Sequence, residues 1–278
     1  MKKILILILV SVCFGCFVQA QTDSTKKSKP QLKLSVNYNS NLNYYGRTDS
    51  LRSSGFFPLA ELWFTENFYI NAAPIFVNNK SASFEYAGTV ATAGYQFFTS
   101  DKKWFGNFYV LKPFYESNSQ LVQSALKAQG AFSLTNLNKL VNVIGGADVK
   151  YSDKLDFGVT GGLDHIFRKQ FEDNSVLVVD PSAYLFAGTQ EFTRSYYKKS
   201  NFLIFPGVGQ TVSQEVKNFN ILSYEFSVPI IYAKQKFQLL FTPAYVIPQN
   251  LITVEGRPDL SEQGKKTLYA TVGFKLIL

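Results

Sequence analysis

The stretch Thr267 to Leu278, "TLYATVGFKLIL", alternates Leu268, Ala270, Val272, Phe274, Leu276 and Leu278 with Thr267, Tyr269, Thr271, Gly273 and Lys275. A period of two marks a β-strand with one apolar face. Soluble domains commonly fray into polar tails, whereas here the alternation persists to the last residue. The apolar stripe must face either a packed core or lipid.

The same period recurs along the chain and places strands near 31–39, 56–65, 68–77, 83–98, 105–116, 120–134, 140–151, 155–167, 175–190, 217–232, 236–247 and 267–278. That makes about 12 strands (10 to 14 at the extremes), each near the ~9 to 11 residues that a tilted membrane strand needs. A soluble sandwich alternates too, so pattern alone does not separate the two solvents. Connection lengths favour the membrane. The long connections, 40–55, 191–216 and 248–266, are the first, ninth and eleventh, all odd-numbered. Transmembrane barrels carry their long loops on one side, extracellular if the N-terminus is periplasmic, and tight turns on the other. The expected fold class is therefore all-β: an antiparallel up-and-down transmembrane β-barrel after a cleaved signal peptide.

Aromatic placement agrees with that reading. One rim collects Phe64, Phe68, Phe97, Phe98, Trp104, Phe105, Phe167, Tyr232 and Phe237, and the other collects Tyr38, Phe56, Phe76, Phe84, Tyr86, Tyr115, Tyr151 and Tyr245. Amphipathic rings form two such belts at the two headgroup levels. The last strand is then expected to pair with the first, "QLKLSVNY", leaving no open edge in hydrocarbon. Prolines complicate the register. Pro58, Pro74, Pro113, Pro181, Pro229 and Pro243 all fall within proposed strands, where each removes a ladder donor.

The N-terminal segment reads as a secretory signal over 1–20: Lys2-Lys3, an apolar run from Ile4 to Val18, then Val18-Gln19-Ala20. Residues 21–30, "QTDSTKKSKP", read as a flexible leader and 31–278 as the barrel. Both cysteines, Cys13 and Cys16, lie in the signal, which excludes a disulfide scaffold or thiolate metal site in the remainder. The formal charge of +8, lowered by two once Lys2 and Lys3 are removed, is moderate, and an exported chain is not expected to meet nucleic acid.

The chain resembles outer-membrane β-barrel proteins of Gram-negative bacteria, especially uncharacterised barrels of the Bacteroidota type. The resemblance rests on "VQAQTDSTK", "VVDPSAYLFAGTQEF", "SYEFSVPIIYAKQKFQLLFTPAYVIPQN" and the alternating terminal strand. It implies a place in the cell outer membrane, contact with outer-membrane lipid and lipopolysaccharide, and handling by the barrel-assembly machinery. In that class the terminal strand usually ends in an aromatic residue; this one ends in Leu278, with Phe274 in the outward phase. The resemblance brings no established activity.

The phase opposite the apolar stripe gives the expected lumen set: the acids Glu61, Glu85, Glu116, Asp148, Asp156, Asp164, Asp180 and Glu225, and the bases Lys112, Lys127, Lys150 and Lys275. Charges inside such a barrel line water or pair with one another. Two classes of function stay open: a passive channel for small hydrophilic solutes, or a closed structural or binding barrel working through its outer loops. A lipid-modifying enzyme ranks third. The single histidine, His165, falls in the outward phase with Leu163 and Phe167, a poor place for a catalytic base. No catalytic residue, cofactor or metal site is assigned, and "GG" at 145–146 and "GVTGG" at 158–162 lack the context of a phosphate loop. The apolar "NFLIFPGVG" at 201–209 sits inside the longest loop, where it would plug the pore, cap it, or pack on the rim.

Overall fold

The computed structural model describes residues 29–117, 119, 121–193, 218–253 and 261–278. The expected signal, all but the last two residues of the leader, and the stretch 201–209 lie outside the described residues.

The described chain forms fifteen strand segments: β1 (Gln31–Asn39), β2 (Ser54–Trp63), β3 (Phe68–Asn78), β4 (Glu85–Phe98), β5 (Trp104–Tyr115), β6 (Ala128–Asn136), β7 (Asn142–Tyr151), β8 (Leu155–Asp164), β9 (Phe167–Gln170), β10 (Val176–Val179), β11 (Ser182–Gly188), β12 (Asn220–Ser227), β13 (Ile230–Lys234), β14 (Phe237–Pro248) and β15 (Thr267–Ile277). Three pairs of segments, β8 with β9, β10 with β11 and β12 with β13, each make one interrupted wall strand, so the wall is a closed barrel of 12 antiparallel strands. Closure is direct: β15 pairs with β1 through Phe274↔Val36 and Leu276↔Leu34. Among the described strands no edge is left for water or another chain to satisfy.

Prolines explain two of the interruptions. Pro181 separates β10 from β11 and Pro229 separates β12 from β13, because neither has an N–H to give to a ladder. Their carbonyls still accept, from the His165 N–H at 3.2 Å and the Asp180 N–H at 2.9 Å. Pro243 stays within β14 and its carbonyl accepts from the Val228 N–H at 3.0 Å. The three prolines thus step across three neighbouring wall strands, and each costs one donor without opening the wall. A bulge between β3 and β4 falls at Ile75/Phe76, opposite Gly88. Gly88 has φ +152°, and a Cβ there would lie 2.6 Å from the Phe114 carbonyl, so the bulge needs glycine.

One expected strand is shorter than its pattern. Residues 122–125 form a 3₁₀ turn instead of the start of β6, which begins at Ala128. The apolar run Leu121, Val122, Ala125 and Leu126 is buried there, so its hydrophobicity serves packing at the rim and not the wall. The connection 116–127 becomes a further long loop on the same end as the other three.

The outer face is greasy around the ring. Leu34, Val36, Ile70, Phe108, Val110, Phe132, Val149, Phe157, Leu163, Phe241, Val272 and Phe274 are all exposed, each in the phase opposite the lumen. A soluble protein does not leave such a band in water. The closed, even-stranded wall and its apolar outside are those of an integral barrel of the bacterial outer membrane. Two aromatic residues depart from the expected belts. Phe105 points into the lumen cavity, and Tyr115 packs on a buried cluster of Leu42, Ile75, Val77, Ala87 and Leu121. That cluster lies at the end of the barrel carrying the long loops.

Candidate functional site

The first connection, 40–53, does not stand away from the barrel. It folds back over the lumen, where Tyr44 and Tyr45 meet Phe192 and Phe186 with ring centroids 5.0 and 5.3 Å apart, respectively. Arg47 holds it there. This guanidinium is 1% exposed and bonds Glu262 Oε1 at 3.1 Å, Gln190 Oε1 at 2.5 Å and the carbonyls of Leu222, Gln249 and Asn250. Glu262 also accepts from the Thr193 hydroxyl at 2.8 Å and the Ile252 N–H at 2.8 Å. One buried ion pair therefore ties the loop ends at 189–193, 249–253 and 261–263 to the first loop. A buried guanidinium survives only when its charge and donors are answered, and here they are.

Burial also shapes the cap's titration. Burial pushes the Tyr44 phenol well above its ordinary value. Burial raises Tyr45 too, with the Lys150 ammonium, 5.3 Å from its ring centroid, pulling the other way. Both rings stay neutral at ordinary pH.

Below the cap lies a cavity of about 460 Å³, running from Tyr45 to Leu137 and Ile166 at the end with the tight turns. Aromatic rings and neutral polar groups line it alongside two carboxylates, Asp148 and Asp164. Asp148 pairs with Lys150, and Asp164 accepts from the Asn142 amide. A cavity with such polar groups in its wall, inside a closed barrel, is room for water and small solutes.

The expected lumen residues other than Lys112 and Lys127 divide into four groups. Glu61 and Lys275 face inward on neighbouring strands and pair at 2.6 Å, and Asp148 and Lys150 face inward and pair. Asp164 and Glu225 lie in the inward phase, and Asp180, in the break between β10 and β11, shares the parity of the inward Val178 and Ser182. Asp156 also points inward but is fully buried and serves the cap: it accepts from the Thr189 hydroxyl and from the N–H groups of Glu191 and Phe192 at the start of a helical turn. Glu85 and Glu116 are exposed at the loop end.

Lys112 and Lys127 require correction. Lys112 pairs with Ala91 and shares the outward phase of Val110 and Phe114, so it points to lipid. An unbroken register in β5 leaves it no other side, and its ammonium reaches over the Phe114 ring at 5.5 Å near the loop end. Lys127 lies just outside β6, exposed, where it pairs with Asp153 at 2.8 Å. Conversely, Lys33 was not among the expected residues, yet it lies in the inward phase beside Glu61, 4.0 Å from the centroid of the Trp63 ring. Strict period two in "QLKLSVNY" already placed it there. Arg47 carried no such signal, because its partners lie 143 and 215 residues away. His165 stays in the outward phase, its Nδ1 engaged by the Leu140 carbonyl.

No protein-family model matches the chain, and no curated protein matches it. Among solved structures it is similar to a KdgM porin (9% identity, TM-score 0.49, covering 88% of this chain and 98% of that one) and a NanC porin (8%, 0.47, 88% and 98%). It is also similar to an outer membrane channel from Pseudomonas putida F1 (9%, 0.47, 93% and 100%). Each is a likeness of the barrel as a whole, and no lumen residue is carried over from it.

Proposed function

We propose that this outer-membrane barrel is a narrow channel for small hydrophilic solutes, capped at its loop end. The cavity beneath Tyr45, with hydroxyls, amides and carboxylates set among apolar side chains, carries this reading. A barrel meant only as structure has no need of a cavity lined by hydroxyls, amides and carboxylates in its lumen. Orientation follows from loop length: the cap faces the cell exterior and the tight turns face the periplasm. Lipopolysaccharide is the proposed neighbour of the exposed loop-end lysines, and barrel-assembly machinery the partner in biogenesis. The motifs shared with barrels of the Bacteroidota favour that lineage. Nothing in the arrangement of His165 favours an enzyme, since its Nδ1 is engaged by a main-chain carbonyl on the outward face.

A second reading rests on the cap itself. The Arg47–Glu262 pair and the cluster around Leu42 and Leu121 pack the loop end as a protein core does, as suits a closed platform that binds through its loops. Planar-bilayer recording separates the two. Purified protein should give small ohmic steps, and Arg47→Met, which unties the cap, should give larger ones. Silence from both proteins overturns the channel and leaves the platform.

A further inference from the structure

We propose that the cavity beneath the cap is a binding site for an amine-bearing sugar. The inference rests on the channel reading, in that the site stands on the solute's path through the lumen. Three features of the wall carry it.

The first is a platform of rings. Tyr184 and Phe186, successive inward residues of β11, have centroids 6.0 Å apart and planes inclined by only 21°. Tyr184 lies along the wall because its register partner is Gly162, where a Cβ would stand 2.5 Å from the ring. Tyr45 of the cap adds a third ring against Phe186, and Tyr109 on β5 also lines the space. Aromatic faces desolvate the C–H face of a pyranose ring and attract a nearby ammonium.

The second is a set of neutral polar groups. Gln129, Ser133, Thr135 and Thr160 line the same cavity and offer both donors and acceptors to ring hydroxyls.

The third is charge. Among the described residues, the cavity lining contains Asp148 and Asp164 and no Lys, Arg or His. Lys150 cancels Asp148, but the hydrogen-bond partner of Asp164 is the neutral Asn142 amide. Asp164 pairs in register with Ser182, two residues from Tyr184, so a carboxylate with no ion-pair partner among the described residues sits beside the ring platform. A sugar ammonium answers that charge, and a sugar carboxylate is repelled by it.

The test is titration calorimetry on the detergent-folded full chain with glucosamine as probe and glucose and glucuronate as comparators; it does not require an open pore. Glucosamine should bind saturably, glucose several-fold more weakly, and glucuronate not at all. Asp164→Asn should lower glucosamine affinity to that of glucose while leaving glucose unchanged. Tyr184→Ala should abolish both, and Tyr184→Phe should restore both; heat-modifiable gel mobility shows that each variant is folded. Glucuronate binding as well as glucosamine, or full affinity in both Asp164→Asn and Tyr184→Ala, overturns the site. Conductance without glucosamine binding also removes the site and leaves the channel; binding without conductance removes the channel and leaves the site.

Discussion

Arg47 Nε lies 3.1 Å from Glu262 Oε1, both side chains almost wholly buried, although 215 residues separate them in sequence. The pair closes the cap across the loop end, so removing one partner strands the other charge away from water. Such losses cost on the order of 3 to 5 kcal/mol. Arg47→Met should therefore raise amide hydrogen exchange in residues 42–53 and 261–264 while the wall strands keep their protection. A double change, Arg47→Met with Glu262→Met, should be milder than the single one. Equal protection in wild type and Arg47→Met would show that the cap does not depend on the pair.

The phase of the last strand makes a second prediction. Val272 is exposed on the lipid side and Thr271 faces the lumen, opposite Thr242. Lysine at Val272 puts a charge in hydrocarbon, at a cost of up to ~2 to 4 kcal/mol near the midplane. Lysine at Thr271 meets water. Assembly yield in outer membranes should fall for Val272→Lys and hold for Thr271→Lys; equal yields would contradict the phase.

Orientation is checked from outside the cell. With Cys13 and Cys16 in the expected signal, the rest of the chain has no cysteine. Cysteines placed singly at Lys80 and Lys154, exposed at the loop end, should react on intact cells with an impermeant reagent. A cysteine at Lys102, exposed in a tight turn, should react only after the membrane is opened. The reverse pattern would invert the barrel.

A tight turn also offers a pH prediction. The Lys234 ammonium, 2.8 Å away, holds the Asp173 carboxyl far below the usual carboxylate range, with Ser175 assisting. A carboxyl depressed in the folded state stabilises its turn above the unfolded value, ~3.9, and that stabilisation is lost as pH falls towards the folded value. Protection factors in residues 172–174, taken relative to the intrinsic exchange rate at each pH, should therefore fall progressively below about pH 4. In Asp173→Asn they should be indifferent to acid over the same range.

How far these features were legible follows from their range in sequence. Strand position and phase are local properties, and "QLKLSVNY" and "TLYATVGFKLIL" show them residue by residue. Proline breaks are local too, though the pattern did not tell that Pro181 and Pro229 interrupt their strands while Pro243 leaves β14 continuous. The buried run at 121–126 looked like wall because hydrophobic periodicity does not say which surface receives it. Lys112 reads from the sequence as lying opposite the apolar stripe, but the unbroken register of β5 sets it on the side of Val110 and Phe114. The cap was hidden altogether, since Arg47 reads as one more loop cation until residues 190, 222, 249 and 262 are brought to it.

Lumen charge sets the last prediction, and pairing weakens what composition suggests. Glu61 is answered by Lys275, Asp148 by Lys150, and Asp156 is sealed under the cap. Apart from the sealed Asp156, the inward acids with no ion-pair partner among the described residues are Asp164, Glu225 and, by parity, Asp180, against the inward bases Lys33 and Arg168. Three charges against two leave a slight negative excess. If the pore conducts, its reversal potential in a salt gradient should show a weak cation preference, fading as salt shortens the screening length from about 10 Å at 0.1 M to about 3 Å at 1 M. Asp180→Asn with Glu225→Gln should bring the potential to zero or reverse it, and Lys33→Met should strengthen the preference. Anion preference in the wild type would mean that the paired lysines, not the unpaired acids, face the moving ions.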